Sequence, residues 1–132
     1  MPRDQEAAFR TAPVKTILIV EDDADIAKFL SLAIAQETPY HHFVVPDGFE
    51  ALRVMEHIKP NLLIIDYLLP KMNGIELYDL LQKTEGREAL PTIILSASLE
   101  RLEDEIKVRN VVGMRKPLEL TEFLTTLSQL LS

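Results

Sequence analysis

From Thr16 onward the chain alternates short, almost wholly apolar runs with longer stretches in which apolar residues recur every three to four positions. The runs Ile17-Leu18-Ile19-Val20, Leu62-Leu63-Ile64-Ile65 and Thr92-Ile93-Ile94-Leu95 show no polar alternation. That is the pattern of strands covered on both faces. In the stretch after the first run, Ile26, Ala27, Leu30 and Ile34 fall on one side of a helix. Near the end, Leu120, Phe123, Leu124, Leu127, Leu130 and Leu131 make a broader apolar face. Strand followed by helix, five times over, predicts βαβ units. The fold class is α/β: a doubly wound, five-stranded parallel sheet, (β/α)5.

The spacing predicts strands over Thr16–Val20, His42–Val45, Asn61–Ile65, Thr92–Leu95 and Val111–Met114. Helices are expected from about Ala24, then over Phe49–Ile58, Ile75–Lys83, Leu99–Lys107 and Glu119–Leu131. Asp23 is placed to cap the first helix, and Pro46-Asp47-Gly48 turns into the second. Gly86 is a candidate stop for the third.

Composition narrows the function. A chain of 132 residues suits one domain, and 47% hydrophobic content can bury a real core. Met1 to Lys15 is mixed charged and polar, with Pro2 and Pro13 and no long apolar core, so it is no secretory signal. It reads as a flexible N-terminal extension over 1–15, ahead of a folded domain over 16–132. A net charge of −7 argues against direct nucleic-acid binding and against an anionic membrane surface. The absence of cysteine excludes disulfides, thiolate ligands and cysteine nucleophiles. No apolar run approaches the length of a membrane span. A cytoplasmic protein, monomeric or weakly dimeric, is expected.

The ends of the apolar runs carry the chemistry. Glu21-Asp22 follows the first, Asp66 the second and Ser96 the third, while Lys116-Pro117 follows the short stretch Val111–Met114. In an open α/β sheet these positions gather at one edge. Three carboxylates there repel one another unless a hard divalent cation sits among them. Mg²⁺ suits the set: Asp22 as direct ligand, Glu21 through a coordinated water, Asp66 alongside, and the backbone carbonyl of Leu68 completing the shell. Asp66 is the expected nucleophile, since a carboxylate can attack a phosphoryl group in line and form an acyl phosphate. Lys116 offers a compact charge for a phosphoryl oxygen, and the Lys116–Pro117 bond invites a cis peptide. Ser96 offers a hydroxyl that can move to the new phosphoryl group. Taken singly, Asp66 would be a turn cap and Lys116 a surface lysine; their coincidence with Glu21-Asp22 decides otherwise. Asp23 is better spent as the helix cap. His41-His42 has no second cluster at ligand spacing and reads as an exposed strand end.

These residues carry a family likeness. Ile17 to Asp23, Asp47-Gly48-Phe49-Glu50-Ala51-Leu52, Asp66 followed by Pro70 and Gly74, Ser96-Ala97 and Lys116-Pro117 together resemble the receiver domain of two-component response regulators. The likeness runs from about Thr16 to Ser132. It implies a flavodoxin-like fold, Mg²⁺-dependent phosphorylation of Asp66 by a histidine kinase or phosphotransfer protein, slow self-dephosphorylation, and signalling through a downstream protein partner. The chain departs from the family at Gly113, where an aromatic is common three residues before the lysine, and at Leu118, where Phe is frequent. Ser96 to Lys116 is also about two residues shorter than usual.

Three rival readings differ in kind. The domain could belong to a longer DNA-binding regulator or hybrid kinase. It could be a docking module that keeps the acidic pocket without being phosphorylated. A phosphohydrolase would need a second Asp two residues after the nucleophile, where this chain has Leu68. An apolar Leu68 there should also hinder attack by water and lengthen the life of the phosphoryl state.

Overall fold

The computed structural model describes residues 14–83 and 90–132. Residues 1–13, most of the expected extension, and Gly86, the expected helix stop, lie outside the described residues. Five strands form one parallel sheet: β1 (Thr16–Val20), β2 (His41–Val45), β3 (Leu62–Asp66), β4 (Thr92–Ser96) and β5 (Val112–Arg115). Their order across the sheet is β2-β1-β3-β4-β5. The helices between them are α1 (Ala24–Glu37), α2 (Gly48–Val54), α3 (Gly74–Gln82), α4 (Glu103–Lys107) and α5 (Leu120–Leu131). The doubly wound α/β fold expected from the sequence is the fold observed.

The unbroken apolar runs follow from burial on both sides. Successive strand residues point to opposite faces. Ile17, Ile19, Leu62, Ile64, Ile93 and Leu95 pack with Leu30 and Ile34 of α1 and Phe123 and Leu127 of α5. Leu18, Val20, Leu63, Ile65 and Ile94 pack on the other face with Ala51, Leu77 and Leu81 of α2 and α3. Each such fully buried side chain contributes roughly 1.5–3 kcal/mol, so the sheet forms a rigid platform for whatever its edge carries. Among the described residues, no helix is long and apolar enough to cross a membrane.

Most helices begin where a side chain can satisfy free backbone N–H groups. Asp23 accepts from the N–H groups of Asp25 and Ile26, and Asp47 accepts from that of Glu50. Asn73 and Glu76 form a reciprocal capping box at the start of α3.

The boundaries differ from expectation in two informative places. The helix expected over Leu99–Lys107 is split into a 3₁₀ turn, Leu99–Leu102, and the short α4. Neither piece has a side-chain cap: the Ser98 hydroxyl makes no capping bond to the 3₁₀ turn, and Leu102, at the N-cap of α4, has no acceptor to offer. The helix expected to reach Ile58 ends at Val54, and the next three residues close as a turn. Strands β3, β4 and β5 each end one residue later than expected, which makes Asp66 and Ser96 the last residues of their strands.

Candidate metal and phosphoryl site

The strand order reverses between β1 and its neighbours: the chain leaves β1 for β2 on one side and returns to β3 on the other. A cleft opens beyond the carboxyl ends of the strands at such a point. Glu21 and Asp22 follow β1 directly, and Asp66 ends the adjacent β3. One carboxylate oxygen from each of Glu21, Asp22 and Asp66 lies within 4.8 Å of the others. Glu21 and Asp66 are buried, at 3% and 4% exposure, while Asp22 faces solvent. This acidic cluster has the donor set and spacing to hold a metal ion.

Lys116 reaches the cluster from beyond β5. Its Nζ lies 2.8 Å from Asp66 Oδ1 and 3.6 Å from Glu21 Oε1. Its backbone N–H donates to the carbonyl of Ser96, which ties the β5 exit to the end of β4. The Lys116–Pro117 peptide bond is cis, as the sequence suggested. Ser96 is buried at the end of β4, one residue past Leu95, which pairs with Asp66.

The electrostatics show a site short of positive charge. Burial, together with the neighbouring Asp66 carboxyl, pushes the Glu21 carboxyl from 4.5 up to about 7, against the smaller opposing pull of Lys116. Glu21 Oε1 is buried and has no hydrogen-bond partner, and 3.6 Å is too long for Lys116 to supply one. Glu21 Oε2 accepts from the Asp23 N–H at 3.2 Å. A buried, unbonded carboxylate oxygen facing two more acids is what a divalent cation would satisfy.

The loop after Asp66 folds tightly back on its strand. The N–H of Leu68 donates to Asp66 Oδ1 at 3.3 Å, and the N–H of Gly74 donates to the carbonyl of Tyr67 at 2.9 Å. A β-carbon on Gly74 would stand 2.7 Å from the backbone oxygen of Asp66, so no larger residue fits without shifting the acid. The Leu68 side chain is 73% exposed. The expected site residues Glu21, Asp22, Asp66 and Lys116 thus converge, and Ser96 stands beside them. The Asn73–Glu76 box, which secures the far end of this loop, was missed from sequence, although Asn-x-x-Glu before an apolar run is its signal.

Comparison with known proteins agrees with the geometry. Residues 17–128 match the family described as the response regulator receiver domain. The DNA-binding response regulator MtrA of Mycolicibacterium paratuberculosis is 32% identical over 87 residues, 66% of this chain and 37% of that protein. The chain therefore spans little more than a third of that relative's length. The signal receiver domain of a histidine kinase from Syntrophus aciditrophicus superposes with a TM-score of 0.79 at 27% identity, covering 89% of this chain and 90% of that one. The receiver domain of sensor histidine kinase PA1611 from Pseudomonas aeruginosa, described with a magnesium ion coordinated in its active-site cleft, gives a TM-score of 0.79 at 22% identity, covering 90% and 98% of the two chains. That last likeness concerns fold alone. The strand order, the acid-lined switch point and the family match lead to one conclusion: the chain belongs to the response regulator receiver domain family of two-component signalling.

Proposed function

We propose that this domain accepts a phosphoryl group on Asp66 from the phosphohistidine of a kinase or phosphotransfer protein, in a Mg²⁺-dependent reaction, and signals through a downstream protein partner. The observation that carries the reading is the 2.8 Å approach of Lys116 Nζ to Asp66 Oδ1 within a cluster of three carboxylates. Asp22 and Asp66 would hold the ion directly, Glu21 through water, and the Leu68 backbone carbonyl would complete the shell. Bound there, Mg²⁺ supplies charge neutralisation for the phosphoryl oxygens.

The chain's own residues do the rest. The carboxylate of Asp66, fixed at a strand end, forms the bond to phosphorus while the donor's bond to phosphorus breaks and takes its electron pair away. Lys116 then follows the negative charge from the carboxylate to the phosphoryl oxygens. Ser96 turns its hydroxyl toward the new group and draws the following residues with it. In this reading the domain is a phosphoacceptor that promotes its own phosphorylation and dephosphorylation, working in the cytoplasm, with residues 16–132 as the folded unit behind an extension over 1–15.

A second reading, a receiver module within a longer DNA-binding regulator or hybrid kinase, draws on the length of the MtrA relative. Both keep the same chemistry at Asp66.

The test is labelling by phosphoramidate with and without Mg²⁺, followed by intact-mass spectrometry. Wild type should gain one phosphoryl group only with the metal, and Asp66→Asn should gain none. A folded wild type that stays unlabelled and binds no beryllofluoride would leave the phosphorylation-independent docking module in its place.

A further inference from the structure

Next to the acidic cluster, on its β4 side, lies a cavity of about 300 Å³ walled by Tyr67, Leu68, Ser96, Ser98, Arg101 and Leu102. Ser96 is the buried residue that ends β4 beside Asp66, and Leu68 stands two residues beyond Asp66. The cavity therefore adjoins the phosphoryl-accepting carboxylate but contains neither acid nor metal ligand side chain. Three of its residues, Tyr67, Leu68 and Leu102, offer apolar surface. Arg101 is the charged one.

Arg101 is placed to serve this space. Its backbone N–H donates to the Ser98 carbonyl at 3.0 Å, inside the 3₁₀ turn. In such a turn side chains three residues apart eclipse, and helical side chains lean toward the N-terminal end. That direction runs toward Ser98, which lines the same cavity. The neighbouring acid, Glu100, is engaged by Arg115 at 2.8 Å. Among the described residues, the Arg101 side chain makes no hydrogen bond and no ion pair within 4.0 Å, although its charge also acts on Glu100.

We propose that this cavity receives the leaving group of a small acyl phosphate, with Arg101 as the charge that accepts its carboxylate. The inference rests on Asp66 being the phosphoryl acceptor. In an in-line displacement the leaving group departs on the side of phosphorus opposite the nucleophile. Asp66 ends β3 at the carboxyl edge of the sheet, where the cavity walled by Leu68, Ser98 and Arg101 opens, and the proposal puts the departing group on that side. One Asp66 oxygen bonds to phosphorus. The phosphorus–oxygen bond to the acyl group breaks, its electron pair stays on the acyl oxygen, and a carboxylate leaves without any proton transfer. A guanidinium matches a carboxylate with two parallel hydrogen bonds, while the apolar walls take the acyl chain. A phosphoramide donor, whose leaving nitrogen departs as a neutral amine, gains nothing comparable from Arg101.

Initial rates of Asp66 phosphorylation, followed by phosphate-affinity electrophoresis with Mg²⁺ present, test this in wild type, Arg101→Gln and Arg101→Lys. Acetyl phosphate and phosphoramidate are the two donors. The acetyl phosphate to phosphoramidate rate ratio should fall about tenfold in Arg101→Gln, the scale of one charged hydrogen bond, and recover in part in Arg101→Lys. An unchanged ratio in Arg101→Gln would overturn the assignment, whether both rates fall together or neither falls. In that case wild type still labelled by phosphoramidate leaves the acceptor role of Asp66 intact. Wild type unlabelled by either donor ends both.

Discussion

Leu99 Cδ1 lies 2.7 Å from the point that a β-carbon on Gly113 would occupy, with Ile106 Cδ1 at 2.8 Å. The place where the family resemblance implies an aromatic ring is thus filled by Leu99 of the 3₁₀ turn and Ile106 of α4. Gly113→Ala should destabilise the domain by about 1–3 kcal/mol through overpacking, and pairing it with Leu99→Ala should recover part of the loss. Thermal melts of the single and double variants measure this. A Gly113→Ala protein as stable as wild type would mean that the two side chains swing away freely.

Glu21 makes the metal-free protein sensitive to pH. Its carboxyl is raised from 4.5 to about 7 in the fold, so between those values the folded state binds more protons than the unfolded one. The stability that this group contributes is fully present below pH 4.5 and is lost as pH climbs to about 7, on the order of 3 kcal/mol. Urea melts in EDTA at pH 5 and pH 8 should show the decline. Mg²⁺ binds the ionised form and should flatten it, and Glu21→Gln should abolish it.

Arg109 ties α4 to α3 by two hydrogen bonds to Asp79, at 2.8 and 2.7 Å, and also reaches the Glu105 carboxylate. The guanidinium holds the Asp79 carboxyl below its usual range. Arg109→Ala should cost about 1 kcal/mol, and Arg109→Lys should recover little, because an ammonium cannot bond both carboxylate oxygens in one plane. Denaturant midpoints for the two variants decide it.

Leu68 stands at the rim of the cleft and offers no group to hold an attacking water. Leu68→Asn should shorten the life of the phosphorylated form about tenfold, the effect of one added hydrogen bond in the transition state. Decay of the label after removal of the phosphodonor is the measurement.

Much of this was readable in the chain. Runs such as Ile17-Leu18-Ile19-Val20 have one good solution, a strand covered twice over, and once the sheet is parallel its carboxyl edge must collect Glu21, Asp22, Asp66, Ser96 and Lys116. Asp23 announced the first helix because few residues suit a cap as well. What sequence could not give was set by contacts between distant segments. The 3₁₀ turn at Leu99 arises where Ser98 is held by Ser96 while Leu99 packs on Gly113, and local periodicity sees neither contact. The outward pose of Leu68 and the place of Arg101 beside the cleft likewise depend on how two loops meet. The raised carboxyl of Glu21 needed its burial to be known.

Glu21, directly after β1, and Asp66, the last residue of β3, have a consequence before the domain is folded at all. Every pairing in this sheet is parallel and spans a helix, so no strand finds its partner locally and assembly is slow. Until then the nascent chain exposes apolar strand tracts to solvent. Glu21 and Asp66 each close such a tract with a negative charge, as Pro91 opens another with a residue that blocks pairing. The acids of the cleft thus also stand where a flanking charge resists aggregation of an apolar tract. Asp66→Asn removes one of these flanking charges together with the acid of the cleft.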